Sequence, residues 1–164
     1  LNLNNTSVLA TSRQPDKNNL LAQFTNGIIS DAQLYKQEIS VQKAWANALA
    51  QISILNKEEV EQIHRALFLA EDMMSKGQFD WKITDEDIHM NLERFVNEHT
   101  TNLGKKMHAG RSRNDLIATT LRLHVADSCD ENINLVKNCI SVITSLAEKN
   151  IDIIIPGMTH LQKG

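Results

Sequence analysis

Between His108 and Asp115 the sequence runs His-Ala-Gly-Arg-Ser-Arg-Asn-Asp, gathering hydrogen-bond donors and Asx side chains just ahead of the longest helix-compatible stretch. After Gly110 neither Gly nor Pro recurs until Pro156. These donors are therefore expected at the positive end of a long helix dipole, where a carboxylate or phosphate is the natural guest. Arg111 and Arg113 stand two positions apart and cannot share one helical face. In the turn before a helix, however, both can converge on a ligand, and each guanidinium matches a carboxylate in a bidentate fork. Two structural readings compete with this one. Asn114 or Asp115 can act as a plain helix cap, and the two arginines can pair with the acids of the preceding helix.

A second group closes the sequence: Pro156-Gly157-Met158-Thr159-His160-Leu161-Gln162. Pro-Gly turns the chain sharply after the helix and presents Thr159, His160 and Gln162. Histidine is the side chain best suited to proton transfer near neutral pH, and a threonine hydroxyl can orient a carboxylate. Structural hydrogen bonding is the competing role for a single His after a turn.

The elements that must position these residues are helices. Only 6 Gly and 2 Pro among 164 residues, with 4% aromatic and 41% apolar content, argue for an all-α chain, since hairpins need turn residues at short intervals. Residues 1–20 are polar and aperiodic and read as an extended or disordered arm. Ser30 can cap a helix with the stripe Leu34, Val41, Trp45, Ala48, Ile52 and Leu55. Asn56 with Glu59 forms a capping box for a second helix, with Val60, Ile63, Leu67, Ala70 and Met74 inward and Gly77 as its stop. Thr84, followed by Asp85, Glu86 and Asp87, starts a third helix that carries Ile88, Leu92 and Phe95 and ends near Gly104. From Ser112 to Lys149 the stripe Ile117, Leu121, Val125, Cys129, Ile133, Val136, Ile140, Ile143 and Ala147 is nearly continuous. A second stripe runs through Leu135, Cys139, Val142 and Leu146, so two sides await burial. At 1.5 Å per residue this helix spans roughly 55 Å, more than a lone small domain needs, and it belongs in a bundle completed by other helices or subunits. The division that follows is 1–20 as arm, 21–110 as helical N-terminal domain and 111–164 as the start of a long-helix bundle domain.

Several classes are disfavoured. A net charge of -3 supplies no global basic field for nucleic acid, and the cluster Lys105, Lys106, Arg111 and Arg113 lacks an aromatic stacking platform. No apolar window reaches membrane-spanning length and no signal-like leader opens the chain, so a cytoplasmic protein is expected. Cys129 and Cys139 lie about 280° apart around a helix, which suits buried free thiols rather than a disulfide. His89, His99 and His108 fall on different faces without a completing ligand, so no metal and no cofactor is expected. The absence of an initiator Met and of any terminal cap at Gly164 is read as the mark of a piece of a longer polypeptide.

Residues 85–164 resemble argininosuccinate lyase, in the fumarase and aspartase superfamily. The resemblance rests on Asp87-Ile88-His89-Met90-Asn91, on Lys106-Met107-His108-Ala109-Gly110-Arg111-Ser112-Arg113-Asn114-Asp115, and on Pro156-Gly157-Met158-Thr159-His160-Leu161-Gln162. Residues 20–84 are similar to the family's helical N-terminal region at a lower level. The resemblance implies a homotetramer whose sites are assembled from three subunits around a bundle of long helices. It implies reversible elimination of arginine from argininosuccinate with release of fumarate, a small-molecule reaction in arginine synthesis. It also implies His160 as proton acceptor and Arg113, Asn114, Thr159, Gln162, Arg111 and Ser112 as substrate-binding residues. The family's flexible loop, with its Ser and Lys, would lie after Gly164, so this stretch alone is expected to be inactive.

The sequence departs from the family pattern in its first third. Residues 10–19 hold only Arg13 where Gly-Gly-Arg-Phe is common, and Gly27 stands where a substrate-binding Ser is expected. Glu38-Ile39-Ser40-Val41-Gln42-Lys43-Ala44-Trp45 replaces Asp-Ile-x-Gly-Ser-x-Ala-His, exchanging a titratable ring for bulk at Trp45. A catalytically altered or structural homologue on the same scaffold, or a related lyase releasing fumarate from another substrate, is the alternative.

Overall fold

The structure, a computed structural model, describes residues 20–164. Apart from Leu20, which opens the first helix, the expected polar arm and its Arg13 lie outside the described residues. Two compact units follow one another along the chain, the first ending at His124 and the second running Val125–Gly164.

The first unit opens with the short helices α1, Leu20–Thr25, and α2, Ile28–Asp31. Ser30 does not cap the next helix. It lies inside α2 and donates its hydroxyl to the Gly27 carbonyl at 2.8 Å. A 3-10 turn at Ala32–Leu34 then leads into α3, Tyr35–Gln51. The buried face of α3 is Glu38, Ile39, Gln42, Ala46 and Leu49, rotated from the predicted stripe because two polar side chains occupy buried positions that an apolar pattern cannot reveal. Ile52, predicted inward, sits past the end of α3 and is exposed.

The capping box of α4, Lys57–Ser75, is present: Glu59 N donates to Asn56 Oδ1 and Asn56 N to Glu59 Oε2, each at 2.9 Å. Ile63, Leu67 and Ala70 are buried as the periodicity requires, with Val60 and Met74 packed beside them. α3 and α4 pack as a helical hairpin. The core between them is closed by Phe79, Leu92, Phe95, Val96, Leu103 and Met107.

Helix α5, Ile88–His99, begins later than Thr84. Residues Ile83–Asp85 form a 3-10 turn and Glu86 takes φ 62°, so the helix starts only after Asp87, whose carboxylate accepts from Met90 N at 3.0 Å. It also ends before Gly104. Thr100 is extended, Asn102 is left-handed, and the chain folds back into α6, Leu103–Met107. Gly104 is required there: a Cβ would stand 2.7 Å from the Glu93 carbonyl oxygen, so only glycine lets α6 approach α5 this closely.

Helix α7 runs Arg113–Lys149, one residue from the predicted start. In the first unit it buries Leu116 and Thr120. The second unit holds the rest of α7 and a two-stranded antiparallel hairpin, β1 Met158–Thr159 and β2 Gln162–Lys163. Along this part of α7 Val125, Ile133, Leu135, Val136, Ile140, Val142, Ile143 and Leu146 are all exposed in the single chain. Cys129 and Cys139 are free and exposed rather than buried, because the helix surface that carries them is itself uncovered. No helix among the described residues is long and apolar enough to cross a membrane.

Candidate functional site

Gly110 adopts φ +72°, which lets the chain reverse between α6 and α7 without a Cβ penalty. The start of α7 is then fixed reciprocally, Ser112 N donating to Asp115 Oδ2 at 2.9 Å and Asp115 N to Ser112 Oγ at 3.4 Å. Ser112 and Asp115 therefore cap the helix, and Asn114 is left exposed beside them.

The basic side chains of the turn each meet a partner from α3, α5 or the residues just before α5. Arg113 places both Nε, at 2.9 Å, and Nη2 on Asp87 Oδ2, and its Nη1 lies 3.6 Å from Glu86 Oε2. Asp87 meanwhile keeps its other oxygen on the α5 cap. His108 Nδ1 lies 3.6 Å from Glu93, whose carboxyl burial pushes above its ordinary range against the opposing pull of His108, Arg111 and Arg113. Arg111 donates Nη2 to Gln42 Oε1 at 2.6 Å, with its guanidinium carbon 5.7 Å from the Trp45 ring. Burial lowers the Arg111 pKa, and the charges of Glu38 and Glu93 oppose that shift. The void beside Arg111, lined by Gln42, Glu93 and Gly104 among others, is only about 10 Å³, room for one water at most.

Glu38 is the hub of this layer and is completely buried. Its Oε1 accepts from Gln42 Nε2 at 2.7 Å and its Oε2 from Thr120 Oγ1 at 2.8 Å. His89 Nδ1 also lies 2.8 Å from Oε2, a close charge-assisted contact. One carboxylate thus ties α3 to α5, to α7 and, through Gln42, to the arginine turn. The signal for it in the sequence is a Glu/Gln pair four residues apart on the same helical face as Ala46 and Leu49. His89, His99 and His108 go to three different partners, Glu38, the Phe95 carbonyl and Glu93.

Burial works to lower the pKa of His89, but the Glu38 contact and charge, with Asp87 adding, lift it above its ordinary 6.5. A group whose pKa rises on folding adds stability that is fully present below the unfolded pKa and lost as pH rises through the folded one. The first unit is therefore expected to weaken as pH climbs from about 6.5. Denaturant midpoints measured against pH check this, and H89Q should remove that limb of the profile while leaving any carboxyl limb at lower pH.

In the second unit Thr159 and Gln162 are directly paired across the hairpin, and His160 and Leu161 form its two-residue loop with φ 49° and 67°. Two left-handed residues in a two-residue loop are the geometry of a type I′ turn, normally made with Asn and Gly. His160 is exposed at the tip in a backbone state that costs a non-glycine residue free energy, a feature frequent at functional sites. The Pro156-Gly157 pair marks a reversal in the sequence, whereas the hairpin turn itself falls at His160.

Gly27, where a hydroxyl is expected, donates its N–H to the Glu86 carbonyl at 2.7 Å, and Glu86 in turn faces Arg113. The departures at Gly27 and Trp45 therefore both border the arginine turn.

An all-α chain with an arginine-bearing turn at the head of a long helix defines a class, and the profile of the family described as Lyase matches residues 12–164. The chain belongs to this lyase family, with the all-α fumarase/aspartase fold. It is 41% identical over 143 residues to the argininosuccinate lyase of a Nitratiruptor species, covering 87% of this chain and 31% of that protein. The argininosuccinate lyase of Acinetobacter baumannii (strain AYE) is 38% identical over 142 residues, 87% of this chain and 30% of its own length. That of Acinetobacter baylyi is 37% identical over the same extent. The chain thus spans 30–31% of the length of the curated relatives it matches, and the resemblance read from its three motifs is borne out.

Proposed function

We propose that the protein containing this chain is an argininosuccinate lyase, a carbon–nitrogen lyase of arginine synthesis that reversibly eliminates arginine from argininosuccinate and releases fumarate. The observation that carries this reading is the Arg111–Asp115 turn, a row of donors at the head of a long helix, in a chain whose relatives bear that name. Removing a proton next to a carboxylate drives negative charge onto the carboxylate oxygens, and preorganised donors lower that barrier. In this reading Arg111, Ser112, Arg113 and Asn114 from the turn, with Thr159 and Gln162 from the hairpin, hold the substrate. His160 takes the proton. The departing guanidinium needs an acid, assigned to the loop that the resemblance places after Gly164.

The exposed stripes of α7 fit a homotetramer in which helices of other subunits cover them, and segments of three subunits complete each site. Residues 21–110 would then be the N-terminal domain and 111–164 the start of the bundle domain, in a cytoplasmic enzyme using no cofactor or metal and no nucleic acid or membrane partner. The chain by itself would not turn over.

The test is fumarate release from argininosuccinate by the full-length protein. Activity is expected, and H160N should lower kcat by about 10²–10⁴-fold. A folded tetramer that releases no fumarate would sink the assignment in favour of an altered homologue, the reading that Gly27 and Trp45 favour.

A further inference from the structure

The amide of Gln42 has its two ends spoken for. Its Nε2 donates to Glu38 Oε1 at 2.7 Å, so only its Oε1 is left to accept from Arg111 Nη2, at 2.6 Å. A buried carboxylate thereby dictates which way the amide faces, and the amide dictates where one edge of the guanidinium lies. A serine hydroxyl at this position would be too short to bridge the two groups. Trp45 supplies the second wall. Its indole Nε1 donates to the Met107 carbonyl at 2.9 Å, pinning the ring, which lies 5.7 Å from the Arg111 guanidinium carbon. Gly110 packs at the same ring, where an added Cβ would meet Trp45 Cζ2 at an ordinary 3.8 Å. Gln42 and Trp45 thus both act on one arginine.

We propose that Gln42 and Trp45 form a clamp on Arg111, with Gln42 a positioning residue that links the buried Glu38 carboxylate to the ligand turn and aims the remaining guanidinium donors outward at a carboxylate. The benefit to substrate binding rests on the function proposed above; the clamp itself does not. It acts on ligand affinity rather than on proton transfer, because a guanidinium held by an amide offers hydrogen-bond donors and no base.

The direct test is ¹⁵N NMR of the arginine side chains in the 164-residue chain. The Arg111 Nη2 protons, which donate to Gln42, should exchange slowly in the wild type, and Q42A should speed that exchange by about tenfold, the worth of one charge-assisted hydrogen bond. Arg113, held separately by Asp87, reports that the unit is folded. W45F, which keeps a ring face, should be milder than W45A. If Q42A also loses the Arg113 signal, Q42S takes its place. Unchanged Arg111 exchange in a folded Q42A or Q42S variant overturns the clamp. In the full-length protein Q42A should raise KM about tenfold with kcat within about twofold; a fall in kcat at unchanged KM also overturns the positioning role. Absence of fumarate release by the wild type would remove the proposed function and leave the clamp to be decided by exchange alone.

Discussion

Glu38→Ala is expected to destabilise the first unit by about 3–5 kcal/mol, the usual loss when one member of a buried ionic cluster is removed. The reason is what remains. Gln42 Nε2 and Thr120 Oγ1 lose their acceptor, and His89, 6% exposed, loses the carboxylate that raises its pKa. Each is left in a space that water cannot enter freely, so desolvation is uncompensated. Urea unfolding followed by tryptophan fluorescence reads this unit alone, since both Trp45 and Trp81 lie within it. Glu38→Gln, which keeps volume and one acceptor, should cost less. The pH limb assigned to His89 should vanish in either variant. A loss in E38A below about 1 kcal/mol would mean that the cluster is hydrated or rearranges, contrary to its burial.

Arg113→Ala should cost about 1.5–3 kcal/mol of stability, as expected for removing a charged hydrogen-bonded partner, and about 10²–10³-fold in fumarate release by the full-length protein. The two numbers separate two jobs. Nε and Nη2 converge on one oxygen of Asp87, and the other oxygen of Asp87 remains on the Met90 amide, so the α5 cap survives the substitution. The stability loss is therefore that of the ion pair, and under the proposed function the activity loss is that of a substrate contact. Arg113→Lys retains the charge but not the planar fork. If Lys restored both stability and activity, directional recognition by this guanidinium would be refuted; if it restored stability alone, it would be supported.

Much of this arrangement is legible along the chain. Ile63, Leu67 and Ala70 recur at helical spacing and are buried, the Asn56/Glu59 box closes α4, and the Gly/Pro-free run after Gly110 forms α7 to within a residue of its expected start. These features are local, set by periodicity and by side chains reaching the backbone a turn away. The buried face of α3 escapes the apolar pattern because Glu38 and Gln42 are buried, and burial of a polar residue depends on partners such as His89, Thr120 and Arg111, which lie far away in sequence. The start of α5 escapes it for a related reason. Thr84 is a good cap by type, but the 3-10 turn and the left-handed Glu86 postpone the helix to Asp87, which at the same time holds Arg113.

By itself the sequence determined that this is an all-α chain of the lyase family and offered the polar runs Arg111–Asp115 and Thr159–Gln162 as its candidate site, because donor types, helix capping and turn chemistry act over a few residues. Only the tertiary structure decided what stands behind those donors. Asp87 and Glu86 hold Arg113, Gln42 and Trp45 hold Arg111, and Glu38 joins three helices beneath them. The physical reason is that a charge buried away from water is stable only beside its partners, and those partners are assembled by packing between helices rather than by order along the chain.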